Sequence, residues 1–336
     1  MSVEKTRLFP CLGLLAAGIM LSLVATASWA KHKHGDRDNS EACFETTDLM
    51  QEACRADIVD DYLTESAKCL NTDDVRGCLG ELRADFRFAY KDCRYQARGR
   101  DDLCRRLPDA GPYITEIDPG DFTGECVGGN PYFPLVVGTV TTFVSEEDEG
   151  ETIIVQVLDE TREIQGIETI VVRDTVYAGL PDINGEPTGD RIEDTDDYYA
   201  VANNCDVWYF GEVSQSFEDG YLDNLDGSFV ADVDGAQAGI IMLGEPEEGA
   251  VYRQEFALGE AEDAAEVLLL ETDIFDEDGE LVTFINPDWN CEGKCLKTED
   301  FIANDPDGTE FKYFKKDIGF VAEQLPEGEV ILKRIK

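Results

Sequence analysis

The stretch CFETTDLMQEACRADIVDDYLTESAKCLNTDDVRGCLGELRADFRFAYKDCRYQARGRDDLC, Cys43 to Cys104, carries six cysteines placed as mirror images about one midpoint. The numbers of Cys43 and Cys104, of Cys54 and Cys93, and of Cys69 and Cys78 share one total, 147. In an antiparallel helical hairpin, residues whose numbers share a total lie side by side. Within each arm the separations are 11 and 15 residues, about three and four turns at roughly 3.6 residues per turn, so the three cysteines of one arm share a face. No Gly or Pro interrupts the chain from Cys43 to Asn71, and Asn71-Thr72-Asp73 supplies turn and N-cap residues at the midpoint. Gly77 and Gly80 weaken the start of the second arm, and Gly99 and Pro108 mark its fraying end. The spacing predicts the rungs Cys43–Cys104, Cys54–Cys93 and Cys69–Cys78. A two-helix hairpin has little core of its own, so cross-links of about 2–4 kcal/mol each would sustain it. A thiolate metal or redox site would need closer spacing such as C-x-x-C, which these arms lack.

Disulfides require an oxidising compartment, and the N-terminus supplies the address. Lys5 and Arg7 precede an uncharged run from Leu8 to Ala30 that ends Ser28-Trp29-Ala30, the pattern of a signal peptide over 1–30 cleaved near Ala30. The alternative is a retained N-terminal membrane anchor. Residues 31–40 read as a flexible leader holding the chain's two histidines, His32 and His34, with weak copper or nickel binding as its chemical alternative. The expected destination is secreted, periplasmic or otherwise outside the cell. The even set of ten cysteines after Ala30 fits it.

Past the hairpin, assigned to 41–107, lies a turn-rich linker over 108–129 and then a domain over 130–336 dominated by β-branched and aromatic residues. Strands are expected at 136–143, 152–158, 168–177, 192–200, 207–211, 228–233, 251–256, 267–272, 281–285, 295–302, 311–314, 319–323 and 330–334. Turns are expected at Asp226-Gly227, Asp278-Gly279 and Asp307-Gly308, and a short helical turn over 260–266. The fold class is α+β, mainly β: a disulfide-laddered antiparallel α-hairpin followed by an antiparallel β meander, whether half-barrel, barrel or sandwich.

The formal charge is −45, and between Pro108 and Gly293 there is no lysine and only Arg162, Arg173, Arg191 and Arg253. Such a field disfavours nucleic acid and anionic membrane surfaces and is compatible with a basic or cell-surface protein partner. Without histidine beyond residue 34, Ser-His-Asp, Cys-His and His-based zinc chemistry are excluded from the domain. No cofactor is expected unless it is calcium. Clustered carboxylates for it occur at Glu193, Asp194, Asp196 and Asp197, at Asp273, Asp276, Glu277 and Asp278, and at Asp305, Asp307 and Glu310. The EF-hand template fails, since with Gly279 sixth the first and twelfth positions would be Ile274 and Ile285. The plainer reading is that Asp-Gly pairs make hairpin turns whose acids face solvent. Tyr132, Tyr199, Trp208, Phe210 and Tyr252, with Phe133, Tyr198 and Phe256 nearby, are the candidate ligand groove. Aromatics at strand spacing otherwise serve as core.

NPYFPLVVGT (Asn130–Thr139), IETIVVRDTV (Ile167–Val176), EDTDDYYAV (Glu193–Val201), VWYFGEV (Val207–Val213), YRQEFALGEAEDAAEVL (Tyr252–Leu268) and CLKTEDF (Cys295–Phe301) together resemble a family of uncharacterised exported bacterial proteins. The resemblance covers Asn130 to the C-terminus and implies no catalytic residue. It implies a Gly-containing turn before VWYFGE, where this chain has Asn203-Asn204-Cys205-Asp206. Cys205 is thus a candidate extra disulfide partner. Cys126, Cys205, Cys291 and Cys295 can pair in three ways, with Cys291–Cys295 leaving Cys126–Cys205 as one of them. The expected role is that of a non-enzymatic exported protein binding a small apolar ligand or a protein partner. A calcium-stabilised structural or interaction protein is one alternative and a carboxylate-pair hydrolase another.

Overall fold

The computed structural model of the protein describes residues 41–145 and 150–336. The expected signal peptide, anchor and leader, with His32 and His34, lie outside those residues. Two helices come first, α1 (Ala42–Cys69) and α2 (Val75–Arg106). Neither is long and apolar enough to cross a membrane. They form the antiparallel hairpin, and the ladder joins them at Cys43–Cys104, Cys54–Cys93 and Cys69–Cys78, with Cα–Cα distances of 5.8, 5.7 and 5.6 Å. The cap of α2 is Asp74, one residue past the expected turn, and its carboxylate accepts from the Gly77 N–H at 2.8 Å.

Gly99 does not mark a fraying end. The helix runs on to Arg106, and Gly99 is where it meets the sheet: a Cβ there would lie 2.5 Å from the Ala303 carbonyl oxygen. Close approach of two backbones demands this residue and outweighs its poor helix propensity. One turn on, Leu103 is fully buried against Ala264, Phe301 and Ala303. The Arg100 guanidinium makes a two-pronged ion pair with Glu262 at 2.8 and 2.6 Å, with side-chain exposures of 6% and 1%. Arg106 reaches Glu266 and Glu299 at 2.6 and 2.7 Å and stacks over the Phe301 ring. The ladder holds the hairpin together and these contacts seat its second helix on the sheet.

Fifteen strands follow among the described residues. β1 (Val140–Ser145), β2 (Glu151–Ile164), β3 (Ile167–Ala178), β4 (Arg191–Val201) and β5 (Val207–Glu218) form a meander, with β6 (Tyr221–Asn224) and β7 (Phe229–Val230) beside β5. Then come β8 (Gln237–Met242), β9 (Val251–Arg253), β10 (Glu255–Phe256) and β11 (Asp263–Thr272). A second meander completes the chain: β12 (Cys295–Ile302), β13 (Asp305–Lys315), β14 (Gly319–Gln324) and β15 (Val330–Arg334). The order across the sheet is β10-β8-β5-β4-β3-β2-β1-β15-β14-β13-β12-β11-β9, with antiparallel pairing throughout. The two end strands, β9 and β10, are separated only by Gln254. One short segment therefore borders β11 on one side and β8 on the other, and the sheet becomes a nearly closed barrel. Gly239 permits this closure, because a Cβ there would fall 2.1 Å from the Gln254 carbonyl oxygen.

Several expectations change for tertiary reasons. β6 and β8 lie outside the expected strands, and the segment expected as 251–256 divides at Gln254 into two strands. The expected helical turn over 260–266 is instead a non-helical turn closed by an Ala257–Ala261 bridge and then the start of β11 at Asp263, because Ala264 and Ala265 pair with Phe301 and Asp300 of β12. Expected strand 281–285 is irregular, touching the sheet pattern only at an isolated Phe275–Leu281 bridge. Asp307-Gly308 lies inside β13, and the β12–β13 connection falls at Ala303 and Asn304.

Strand alternation gives the barrel two faces. The inner core gathers Val157, Val172, Tyr199, Val207, Tyr209, Tyr252, Val267, Leu296 and Phe314. Outward residues of the same strands, such as Val171, Tyr198, Ala200 and Phe210, form a second cluster with Ile117, Phe122 and Trp208. The linker expected over 108–129 thus lies packed along the barrel wall. Tyr113 donates to the Ala238 carbonyl at 2.9 Å, and Cys126–Cys205 staples the segment's end. The remaining bridge, Cys291–Cys295, closes a small loop over a third cluster around Trp289 and Tyr313.

Candidate functional site: the barrel interior

Inside the barrel is a cavity of ≈ 370 Å³, within the size range of ligand pockets. Its apolar wall comes from β1, β2 and β15 through residues such as Phe143, Ile153, Val155 and Leu332. The NPYFPL segment adds Phe133, Pro134 and Leu135. Asn130 positions that segment. It is 1% exposed, its amide donates to the Cys205 and Leu243 carbonyls at 2.9 and 3.0 Å, and its Oδ1 accepts from the Tyr132 and Phe133 N–H groups at 2.8 and 3.1 Å. Every hydrogen-bonding group of this buried amide has a partner, as burial requires.

The opposite wall is acidic, and strand register explains how. Across β3, β4 and β5, Val172 pairs with Asp197 and Asp197 with Glu212, while Asp174 pairs with Thr195 and Thr195 with Ser214. These rows face inward together with Val176 and Glu193. The alternate row, Arg173–Asp196, faces outward, where Arg173 binds Asp196 at 2.8 Å and lies 3.5 Å from Asp194. Asp194 also pairs with Arg191.

Burial dominates the electrostatics of the inner acids. It pushes Asp174 up to about 7, helped by the negative charges of Glu193 and Glu212. Asp197 also rises to about 7, burial outweighing the hydrogen bond from the Tyr209 hydroxyl at 2.5 Å. Glu212 rises to about 8 through burial and the neighbouring Asp197, although the same Tyr209 hydroxyl lies 2.9 Å away. Farther round, burial raises Glu255 well above the usual carboxylate range and Asp263 to about 6.

The acidic belt then meets the one interior lysine among the described residues. Lys312 on β13 lies 3.4 Å from Asp300 and 4.0 Å from Glu323. Burial works against its charge, but Asp300, Glu323, Glu310 and Asp263 more than compensate, and its pKa is raised. Glu323 is lifted to about 8 by burial despite that lysine. Asp300 also accepts from Gln254 at 3.0 Å and from Thr298. The belt therefore has two halves. On β12 to β14 a protein cation sits among the carboxylates. On β3 to β5, among the described residues, no Lys or Arg forms an ion pair with Asp174, Glu193, Asp197 or Glu212. Asp174 Oδ1 is buried with no hydrogen-bond partner, and so is the hydroxyl of Tyr252, a residue 8% exposed.

Of the aromatics expected to form one groove, Tyr199 lines the cavity, and Tyr252 and Tyr132 pack in or against the inner core. Trp208 and Phe210 are turned to the outer face, where both meet the Phe122 ring. They share a strand with Tyr209 but have the opposite alternation phase. The carboxylates considered for calcium are likewise separated. Glu193 and Asp197 face the cavity while Asp194 and Asp196 pair with arginines outside. Asp273 accepts from the Gly293 N–H, and Asp276 caps its own turn through the N–H groups of Asp278 and Glu280. Asp307 accepts from the Tyr95 hydroxyl, Glu310 lies toward Glu323, and Asp305 pairs across the β12–β13 hairpin. Among the described residues no group of three or more His, Cys, Asp or Glu could hold a metal ion. Asp174 and Lys312, not singled out above, had a readable signal: each occupies the apolar phase of its strand, with Val172 and Val176 or with Phe314.

No protein-family model matches the chain, and no curated protein matches it. A solved structure described as "a putative lipoprotein" from Parabacteroides distasonis aligns with 62% of this chain and 97% of its own, at 12% identity and a TM-score of 0.28. A likeness that slight carries no argument about this protein.

Proposed function

We propose that the protein is a non-enzymatic, extracytoplasmic binding module whose small, largely apolar ligand occupies the barrel interior. The observation that carries this reading is the ≈ 370 Å³ cavity walled by β1, β2, β15 and the NPYFPL segment. Protein interiors are close-packed, and an interior space of this size with one wall of aliphatic and aromatic side chains costs stability that a bound ligand would offset. Five disulfides support an oxidising location. The resemblance to uncharacterised exported proteins points the same way.

The test is titration of the disulfide-intact protein with the neutral fluorophore N-phenyl-1-naphthylamine, beside a cavity-filling Val155→Trp variant. Saturable one-to-one binding by the native protein and its loss in a variant that still melts cooperatively are expected. No binding by the native protein, or equal binding by both proteins, would overturn the proposal.

A further inference from the structure

The cavity joins an apolar wall to carboxylates on β3 and β4, and among the described residues the cations that line it, Lys312 and Arg334, both stand on the β13–β15 side. Lys312 sits among Asp300, Glu310, Glu323 and Asp263. Across the barrel, Asp174, Glu193 and Asp197 line the same space and have no such partner among the described residues. Asp174 Oδ1 is a buried acceptor with nothing donating to it. A buried acceptor left unmade is costly, and a charged donor satisfies it most strongly.

We infer that the barrel selects an amphipathic organic cation: an amine or guanidine placed at Asp174, Glu193 and Asp197, with its hydrocarbon body against Val155, Phe143 and Leu332. This rests on the barrel-interior reading above and specifies its ligand class. The ligand's charge would stand on β3 and β4 where Lys312 stands on β13. A metal ion fits less well, because these carboxylates are strung along two strands and form no metal-holding group. An organic cation needs only one or two of them within reach of its N–H groups. An anionic amphiphile, such as a fatty acid, is opposed by those acids of the belt that are ionised, and increasingly so as pH rises.

The groups facing the proposed cation determine the pH dependence. They are Asp174 on β3, Glu193, Asp197 and the Tyr199 hydroxyl on β4, Glu212 and the Tyr209 hydroxyl on β5, and Glu255 on β10. From the far wall come Asp263, Asp300, Glu310, Glu323, Lys312 and Arg334. Burial lifts both Asp174 and Asp197 to about 7. A bound cation favours their ionised forms, so binding releases protons and tightens as pH rises.

The experiment is competition against N-phenyl-1-naphthylamine by two chains of equal length, 1-aminooctane and 1-octanol, at pH 5.5 and pH 8. The amine stays charged at both values. We expect the amine to displace the probe about tenfold or more better than the alcohol at pH 8, with a smaller advantage at pH 5.5. Asp174→Asn with Glu193→Gln should bring the two chains to within about threefold at pH 8, while Asp223→Asn, on the exposed β6, should leave the advantage intact. Equal displacement by amine and alcohol in the native protein would overturn the cation inference and leave the cavity reading standing. An advantage that Asp223→Asn reduces as much as the double substitution does would assign it to the general surface charge and also overturn it. Failure of the neutral probe to bind would overturn both.

Discussion

Asp174→Asn should stabilise the unliganded protein, and more at high pH than at low. The side chain keeps its size and loses its charge. In the folded barrel burial and the neighbouring carboxylates lift Asp174 to about 7 from an ordinary value of 3.8. Its folded pKa is raised, so its contribution to stability is fully present below about pH 4 and is lost as pH climbs to about 7. At about 1.4 kcal/mol per pH unit, the total loss above pH 7 comes to between about 4 and 5 kcal/mol. About two of those pH units lie between pH 5 and pH 7, which sets a ceiling near 3 kcal/mol on the difference between the two conditions. Glu193 and Glu212 share the same repulsion and relax when it is relieved, which lowers the working figure to about 2 kcal/mol. For a barrel of this size that is a melting-temperature gain about 4–8 °C larger at pH 8 than at pH 5. Differential scanning calorimetry of native and variant protein at both pH values reads it directly. A gain no larger at pH 8 than at pH 5, or a loss at pH 8, would refute the placement of Asp174 as an unneutralised interior carboxyl. The same residue is proposed to hold the ligand's charge, so the variant should be more stable empty and a weaker binder of cations.

Three further expectations concern how the hairpin is held. Glu262→Gln leaves the buried Arg100 guanidinium without its counter-charge and should cost about 3–5 kcal/mol, whereas pairing it with Arg100→Met should recover part of that loss; a native-like melt of the single variant would refute the anchoring role. Gly99→Ala should destabilise because its Cβ would meet the Ala303 carbonyl, while Gly80→Ala, where a Cβ meets nothing, should stabilise by about 0.5–1 kcal/mol; calorimetry giving both variants the same sign would count against the docking geometry. Cys54→Ser with Cys93→Ser removes the middle rung, worth about 2–4 kcal/mol, and should open the hairpin to trypsin at Arg87 and Arg94 before the barrel is cut; unchanged hairpin cleavage rates would show that the rung is dispensable.

Much of the architecture was legible in one dimension because it rests on periodicity. Helical hairpin geometry turns the placement of six cysteines into three pairs, and alternation marks most strands of the two meanders. The β12–β13 hairpin and strand β11 misled for two reasons: the chain turns at Ala303 and Asn304, ahead of Asp307-Gly308, which is drawn into β13, and the helix signal at 260–266 is overridden by pairing with Asp300 and Phe301 about 36 residues on. Gly99 misled for the same reason: its meaning lies in Ala303, more than two hundred residues away.

What the sequence by itself determined about this protein is its class: an acidic, disulfide-laddered helical hairpin ahead of an antiparallel β domain, with histidine chemistry excluded from that domain. Only the tertiary structure decided that the sheet nearly closes through Val251–Phe256, that Trp208 and Phe210 face outward, and that the EDTDD run divides between an outer ion-paired surface and an inner wall. Composition counts carboxylates, and alternation sorts them into two faces. Which face is inside depends on closure of the sheet, and closure depends on which strands meet across the longest stretches of chain.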